Sequence, residues 1–307
     1  MLCREEEIDM ERQKTSGLFR CLVYNGGVSL TLIDGGKMCS EAIKLHGFHG
    51  EKARAFCGAV LCTAFLGGLL KENGEVSAVL KTDGEIQNIT ASASAALNVR
   101  ACMDCRNGAE FAEGKQSRTA DSVSWYDTSG YLQVVRSDGY SARPFVGVCP
   151  LKSVVKSENN AEAAENFFEN NFEEYFAVSE QLPTRFKLYI GEKEDEYYCA
   201  ALQTLPEGGE TWEDTAKEKL NDFLSEYKNT KDAENSARRI FGEISCAENR
   251  GIRYKCNCSR EYLKGVLSSL GKNEIESILQ EQGAVKIHCR YCNKDYVFSR
   301  NDLKDLL

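Results

Sequence analysis

Lys255-Cys256-Asn257-Cys258-Ser259-Arg260-Glu261 and, thirty residues further on, His288-Cys289-Arg290-Tyr291-Cys292 decide how this chain reads. Two close cysteine pairs flanking a short folded segment supply four thiolates to one ion. Zn2+ accepts such a set readily, being borderline-soft and tetrahedral with four sulfurs. Cys256, Cys258, Cys289 and Cys292 are therefore read as the ligands of a zinc site.

The intervening segment explains how the pairs meet. Ser259 is placed to cap a helix through Leu267, with Tyr262, Val266 and Leu270 on one face and Gly271 as its stop. A second helix over 273–282 carries Ile275, Ile278 and Leu279 and ends at Gly283. Val285-Lys286-Ile287 alternates like a strand, turns through 289–293 and returns as Tyr296-Val297-Phe298. So few apolar residues make a marginal core. A bound metal would then provide much of the folding free energy, on the order of 10–16 kcal/mol for structural zinc.

The 307 residues leave room for one substantial core besides this module. The formal charge of -9 disfavours nucleic acid or an anionic membrane as a general partner. Residues 250–307 are locally basic, with eleven Lys/Arg against seven Asp/Glu. That leaves a zinc-dependent nucleic-acid-binding accessory factor as a rival reading. Fourteen cysteines are many, but Met1-Leu2-Cys3-Arg4-Glu5-Glu6-Glu7 lacks the apolar stretch of a secretory leader. The longest apolar run, 55–70, is short of a membrane span. A cytoplasmic protein with reduced thiols is expected.

Upstream the texture alternates. Residues 1–16 read as a flexible tail. A hairpin over 18–23 and 28–33 turns at Asn25-Gly26-Gly27, and a long helical region covers 38–71. Strands are expected at 75–81, 86–91, 99–103, 122–125, 131–136 and 145–148. Residues 162–181 form a helix with Phe168, Phe172, Tyr175 and Ser179 on one face, broken by Pro183. A second hairpin pairs 186–190 with 197–205. Without regular β-α-β alternation this is an α+β core over 17–205. Residues 206–255 read as a helical linker. There Thr211 and Asp214 have the form of a capping box, Trp212, Ala216, Leu220, Phe223 and Tyr227 form a stripe, and 229–249 is only marginally helical.

The paired cysteines, together with 276–279 (Glu-Ser-Ile-Leu), 174–185 (Glu-Tyr-Phe-Ala-Val-Ser-Glu-Gln-Leu-Pro-Thr-Arg) and 202–206 (Leu-Gln-Thr-Leu-Pro), resemble the 33-kilodalton heat-shock protein family of redox-regulated holdase chaperones. The resemblance spans about 17–303. It implies that 17–205 binds unfolded client proteins, that 206–255 is redox-sensitive, and that 256–307 is a zinc-bearing redox switch. It also implies that oxidation closes Cys256–Cys258 and Cys289–Cys292 as disulfides with loss of Zn2+, and that the active form is a homodimer needing no ATP.

Other features compete less well. Cys102 and Cys105 have thioredoxin-like spacing, which keeps a thiol-disulfide oxidoreductase as a further rival, but Arg106-Asn107-Gly108 reads as a turn rather than a helix start. His46 and His49 lack a convincing third ligand, and the remaining cysteines sit mostly in apolar company as small hydrophobes. No nucleophile elbow, zinc-protease helix, P-loop or dinucleotide fingerprint is present, so no enzyme is expected.

Overall fold

The computed structural model describes residues 16–106, 126, 128–141, 143–153, 160–191, 193, 195–205 and 210–307. The tail at 1–15, the strand expected at 122–125 and the linker start at 206–209 lie outside the described residues. One compact unit ends at Tyr254 and a second spans Lys255–Leu307.

In the first unit, β1 (Gly17–Val23) and β2 (Val28–Asp34) form the expected hairpin, turning through Tyr24–Gly26. The helical region comes as two helices, α1 (Gly36–His46) and α2 (Gly50–Gly68). Gly47 divides them: it takes the left-handed conformation at φ 66° and caps α1 by donating its N–H to the Ile43 carbonyl. In α2 every residue from 55 to 68 is buried. A Cβ on Gly58 would run into the Phe168 ring. No helix among the described residues is long and apolar enough to cross a membrane.

There follow β3 (Glu75–Thr82), β4 (Ile86–Ser94), β5 (Asn98–Cys105), β6 (Gly130–Ser137), β7 (Phe145–Pro150), α3 (Asn160–Tyr175), a π-turn (Phe176–Glu180), β8 (Thr184–Ile190) and β9 (Tyr197–Thr204). After a 3-10 turn at Glu210–Thr215 come α4 (Ala216–Thr230), α5 (Ala233–Phe241), β10 (Ser245–Gly251) and β11 (Arg253–Tyr254). The capping box is corrected by this: α4 starts at Ala216, after the 3-10 turn, and the Thr211 side chain is outside the described residues.

Two sheets result, in the orders β10-β1-β2-β9-β8 and β11-β5-β4-β3-β6-β7. In the first, the inner strands β2 and β9 are buried on both faces. Leu18, Ile33, Phe186 and Leu188 join the main core around α2 and α3. Phe19, Leu30, Leu32, Tyr198 and Leu202 pack under Trp212, Leu220, Phe223 and Tyr227. The stripe read on α4 is thus the lid of a second core. This unit is α+β, as the sequence implies.

The segment 229–249 differs from its reading as marginal helix. It forms α5, capped by Asp232 accepting from the Asn235 N–H at 2.9 Å, and then β10, which pairs antiparallel with β1 from Gly17↔Gly251 to Leu22↔Ser245. β10 is exposed almost throughout, so backbone pairing rather than burial makes it a strand.

The second unit contains α6 (Arg260–Ser268), α7 (Lys272–Gln282), β12 (Val285–Cys289) and β13 (Lys294–Phe298). Its core is small: Leu263, Leu267, Ile275, Leu279, Val285, Phe298 and Leu303. The buried face of α6 is corrected here. Leu263 and Leu267 point in, whereas Tyr262, Val266 and Leu270 are 48% to 62% exposed. Both sets repeat every four residues, so helical periodicity fits either face.

Candidate metal centre

Local chemistry brings each cysteine into place. Ser259 caps α6, its Oγ accepting from the Tyr262 N–H at 3.1 Å. That cap fixes the course of the preceding Cys256-Asn257-Cys258, where the Cys258 N–H donates to Cys256 Sγ at 3.4 Å. Opposite, the β12–β13 hairpin closes through a turn with Asn293 in the left-handed region at φ 53°, its N–H bonded to the Cys289 carbonyl at 2.8 Å. Cys289 ends the strand and Cys292 sits within the turn, so both face the first pair.

All four Sγ atoms lie within 4.8 Å of one another. The nearest approaches run across the pairs: Cys256 to Cys289 at 3.6 Å and Cys258 to Cys292 at 3.1 Å. A tetrahedral ion with Zn–S bonds of about 2.3 Å would hold its sulfurs roughly 3.8 Å apart. The donor set and its spacing therefore fit Zn2+. Cys292 is buried and the other three are half-buried.

The thiols are electrostatically unequal. Burial works to raise Cys258, but hydrogen bonds from the Tyr296 hydroxyl, at 3.2 Å, and from Cys292, Cys256 and Cys289 bring it down to about 7. Burial lifts Cys256 to about 11 and also raises Cys292. One thiolate thus forms easily, while four at these distances repel strongly unless a cation sits among them.

The other sequence candidates do not form a site. Cys102 and Cys105 both lie inside β5, opposite Thr90 and Ile86; three residues apart on a strand, they face opposite sides of the sheet. Burial raises the Cys105 thiol. No poised dithiol results. His49 is the N-cap of α2, while His46 stacks on Phe48 at 5.4 Å and meets the Tyr254 hydroxyl through Nε2 at 2.9 Å. Cys21, Cys39, Cys57, Cys62, Cys149 and Cys199 are buried, as read; Cys246 on β10 is exposed, and Cys3 lies outside the described residues.

Sequence reading missed Tyr254. Its hydroxyl donates to the Ala101 carbonyl at 2.9 Å and accepts the Ala101 N–H at 3.1 Å, beside the parallel pairing of β11 with β5. Together with the β10 ladder and the Arg20–Glu248 ion pair at 3.3 Å, this fastens 245–254 to the strands upstream. A lone tyrosine just before a cysteine pair carries no signal of such a role.

Comparison with known proteins agrees with the fold. The family model described as Hsp33 protein matches residues 16–299. A 33 kDa chaperonin of Bacillus cytotoxicus is 28% identical over 300 residues, covering 94% of this chain and 98% of its own. One of Bacillus cereus is 26% identical with the same coverage. The crystal structure of a 33 kDa chaperonin from Thermotoga maritima superposes with a TM-score of 0.72 at 24% identity, over 95% of this chain and 97% of its own.

Proposed function

The chain belongs to the Hsp33 protein family, and on that premise we propose that it is a redox-activated holdase chaperone of the cytoplasm. The observation that carries this reading is the convergence of Cys256, Cys258, Cys289 and Cys292 in a unit whose core has few buried side chains. In the reduced state Cys256, Cys258, Cys289 and Cys292 would hold Zn2+ as thiolates, and the bound ion would supply much of this unit's stability. The domains are then a core at 17–205, a linker at 206–255 and a redox switch at 256–307.

Oxidation acts on the ligands. Each thiolate pair gives two electrons to a hydroperoxide, forming one disulfide while the peroxide O–O bond breaks to an alcohol and water with two protons taken up. Cys256–Cys258 and Cys289–Cys292 are the pairs. A site without thiolates no longer binds the cation, and the small core cannot hold the unit by itself.

The linker is the next part to yield. Its strand β10 depends on backbone pairing, and beyond it Ile252 and the Tyr254 contacts anchor the chain to the core. When it lifts, Trp212, Leu220, Phe223 and Tyr227 leave the face carrying Phe19, Leu30, Leu32, Tyr198 and Leu202. An apolar surface of that kind holds unfolding polypeptides. Dimerisation of the oxidised form would double it. Comparing aggregation suppression by the reduced, zinc-loaded protein with that by the peroxide-treated protein tests the reading; equal suppression would overturn it.

A further inference from the structure

A sheet edge presents unpaired N–H and C=O groups, and proteins generally block it with charge, brevity or covering side chains. Among the described residues the first unit has four such edges, and three are blocked. β8 is covered by α3: Glu165, Glu169 and Glu173, four residues apart, accept the N–H groups of Ile190, Leu188 and Phe186 at 2.8, 2.9 and 2.9 Å. The helix rises about 6 Å per four residues and the strand about 6.6 Å per two, so the carboxylates match alternate amides. β10 carries Glu248 and Arg250, and β11 is two residues long with Arg253 in it.

β7 is the exception. Its sequence, Phe-Val-Gly-Val-Cys-Pro, has no charge, and among the described residues only β6 pairs with it. The exposed large hydrophobics described in this unit gather here: Tyr140 in the connection before β7, Phe145, Val146 and Val148 on it, and Val178 in the π-turn. Phe145, Val146, Val148 and Val178 are 44% to 56% exposed. Strand and π-turn lie against each other, since a Cβ on Gly147 would stand 2.8 Å from the Tyr175 ring and 2.9 Å from Ser179 Oγ. π-turns recur at functional sites.

We propose that the free edge of β7 is a first-contact site for an extended, apolar segment of an unfolded client, which adds to the sheet as a further strand beside Val146 and Val148. The holdase reading above supplies the nature of the occupant. An extended backbone is what the open ladder can pair with, and the uncharged strand suits an apolar segment. Six residues span only about 20 Å, too short to bury the roughly 1,000 Å² that a stable dimer needs. Weak, transient capture is what such an edge can deliver. Among the described residues no strand but β6 pairs with it, so this contact needs no oxidation, and tight holding follows only when the same client also reaches the face uncovered by the linker.

The test uses the full chain with a photoreactive residue in place of Val148 and reduced, carboxymethylated α-lactalbumin as the unfolded probe. Irradiation is expected to give adducts with the probe in both the reduced zinc-loaded and the oxidised protein. Adducts only with a second copy of the chain, or none with the probe in either state, would overturn the proposal. Val146→Lys with Val148→Lys, on exposed positions, should leave zinc content and thermal unfolding unchanged yet weaken capture by the oxidised protein up to about tenfold. Undiminished capture by that variant counts against the edge alone. If oxidation fails to raise capture by the unsubstituted chain, the holdase reading fails whatever the adducts at position 148 show.

Discussion

The Tyr254 hydroxyl stands 2.9 Å from Nε2 of His46 and bonds both backbone groups of Ala101, so the residue preceding the four-thiol unit is pinned to α1 and to β5. Tyr254→Phe keeps the ring and removes these bonds. A loss of about 1 kcal/mol per net hydrogen bond is expected. Amides 245–254 should then exchange faster in the reduced protein, and less peroxide should suffice for activation. Unchanged exchange there would mean that the β10 ladder alone holds the segment.

Cys289→Ser replaces a thiolate at the end of β12 with a hydroxyl. The reduced variant should lose zinc affinity by more than the roughly 10–100-fold typical of changes to outer-shell partners. Metal analysis and competition with a chelator measure it; full zinc retention would place the ligand set elsewhere.

The small second core separates the two faces of α6. Leu267→Ala should cost about 2–5 kcal/mol, because its side chain is enclosed with Ile275 and Phe298. Val266→Ala, on the exposed face, should stay within about 0.5 kcal/mol. Thermal unfolding of the zinc-loaded protein distinguishes them.

Those neighbours mark where the sequence was legible and where it was not. The Asn25-Gly26 turn, the Ser259 cap and the Gly283 stop are local chemistry and were readable. So was the clustering of the four thiols, because two close cysteine pairs flank a short folded segment. Two overlapping stripes, Tyr262/Val266 and Leu263/Leu267, differ by one residue, and only tertiary packing selects between them. β10, Ser-Cys-Ala-Glu-Asn-Arg-Gly, has no alternation because its partner is backbone. The carboxylates covering β8 carry no local signal either, because what they bond is far away in the chain.

Glu165 gives a pH signature. Burial pushes its carboxyl up to about 7 from 4.5, outweighing the bond from the Ile190 N–H. Between those values the folded chain keeps a proton that the unfolded chain has released, so this group's contribution is complete below about pH 4.5 and is lost as pH rises through 7. Urea unfolding of the first unit should therefore show stability falling by on the order of 2 kcal/mol from about pH 5 to 7.5, and Glu165→Gln should flatten that slope. An identical slope in the variant would assign it to other groups.

The central claim is that thiol oxidation releases the linker while the core remains folded. Hydrogen exchange of the reduced, zinc-loaded protein and of the peroxide-treated, zinc-free protein tests it most directly. Protection should be lost from about Thr211 through Leu307 on oxidation, with 17–205 largely retained. If zinc leaves and aggregation suppression appears while amides 211–254 stay protected, the account is contradicted.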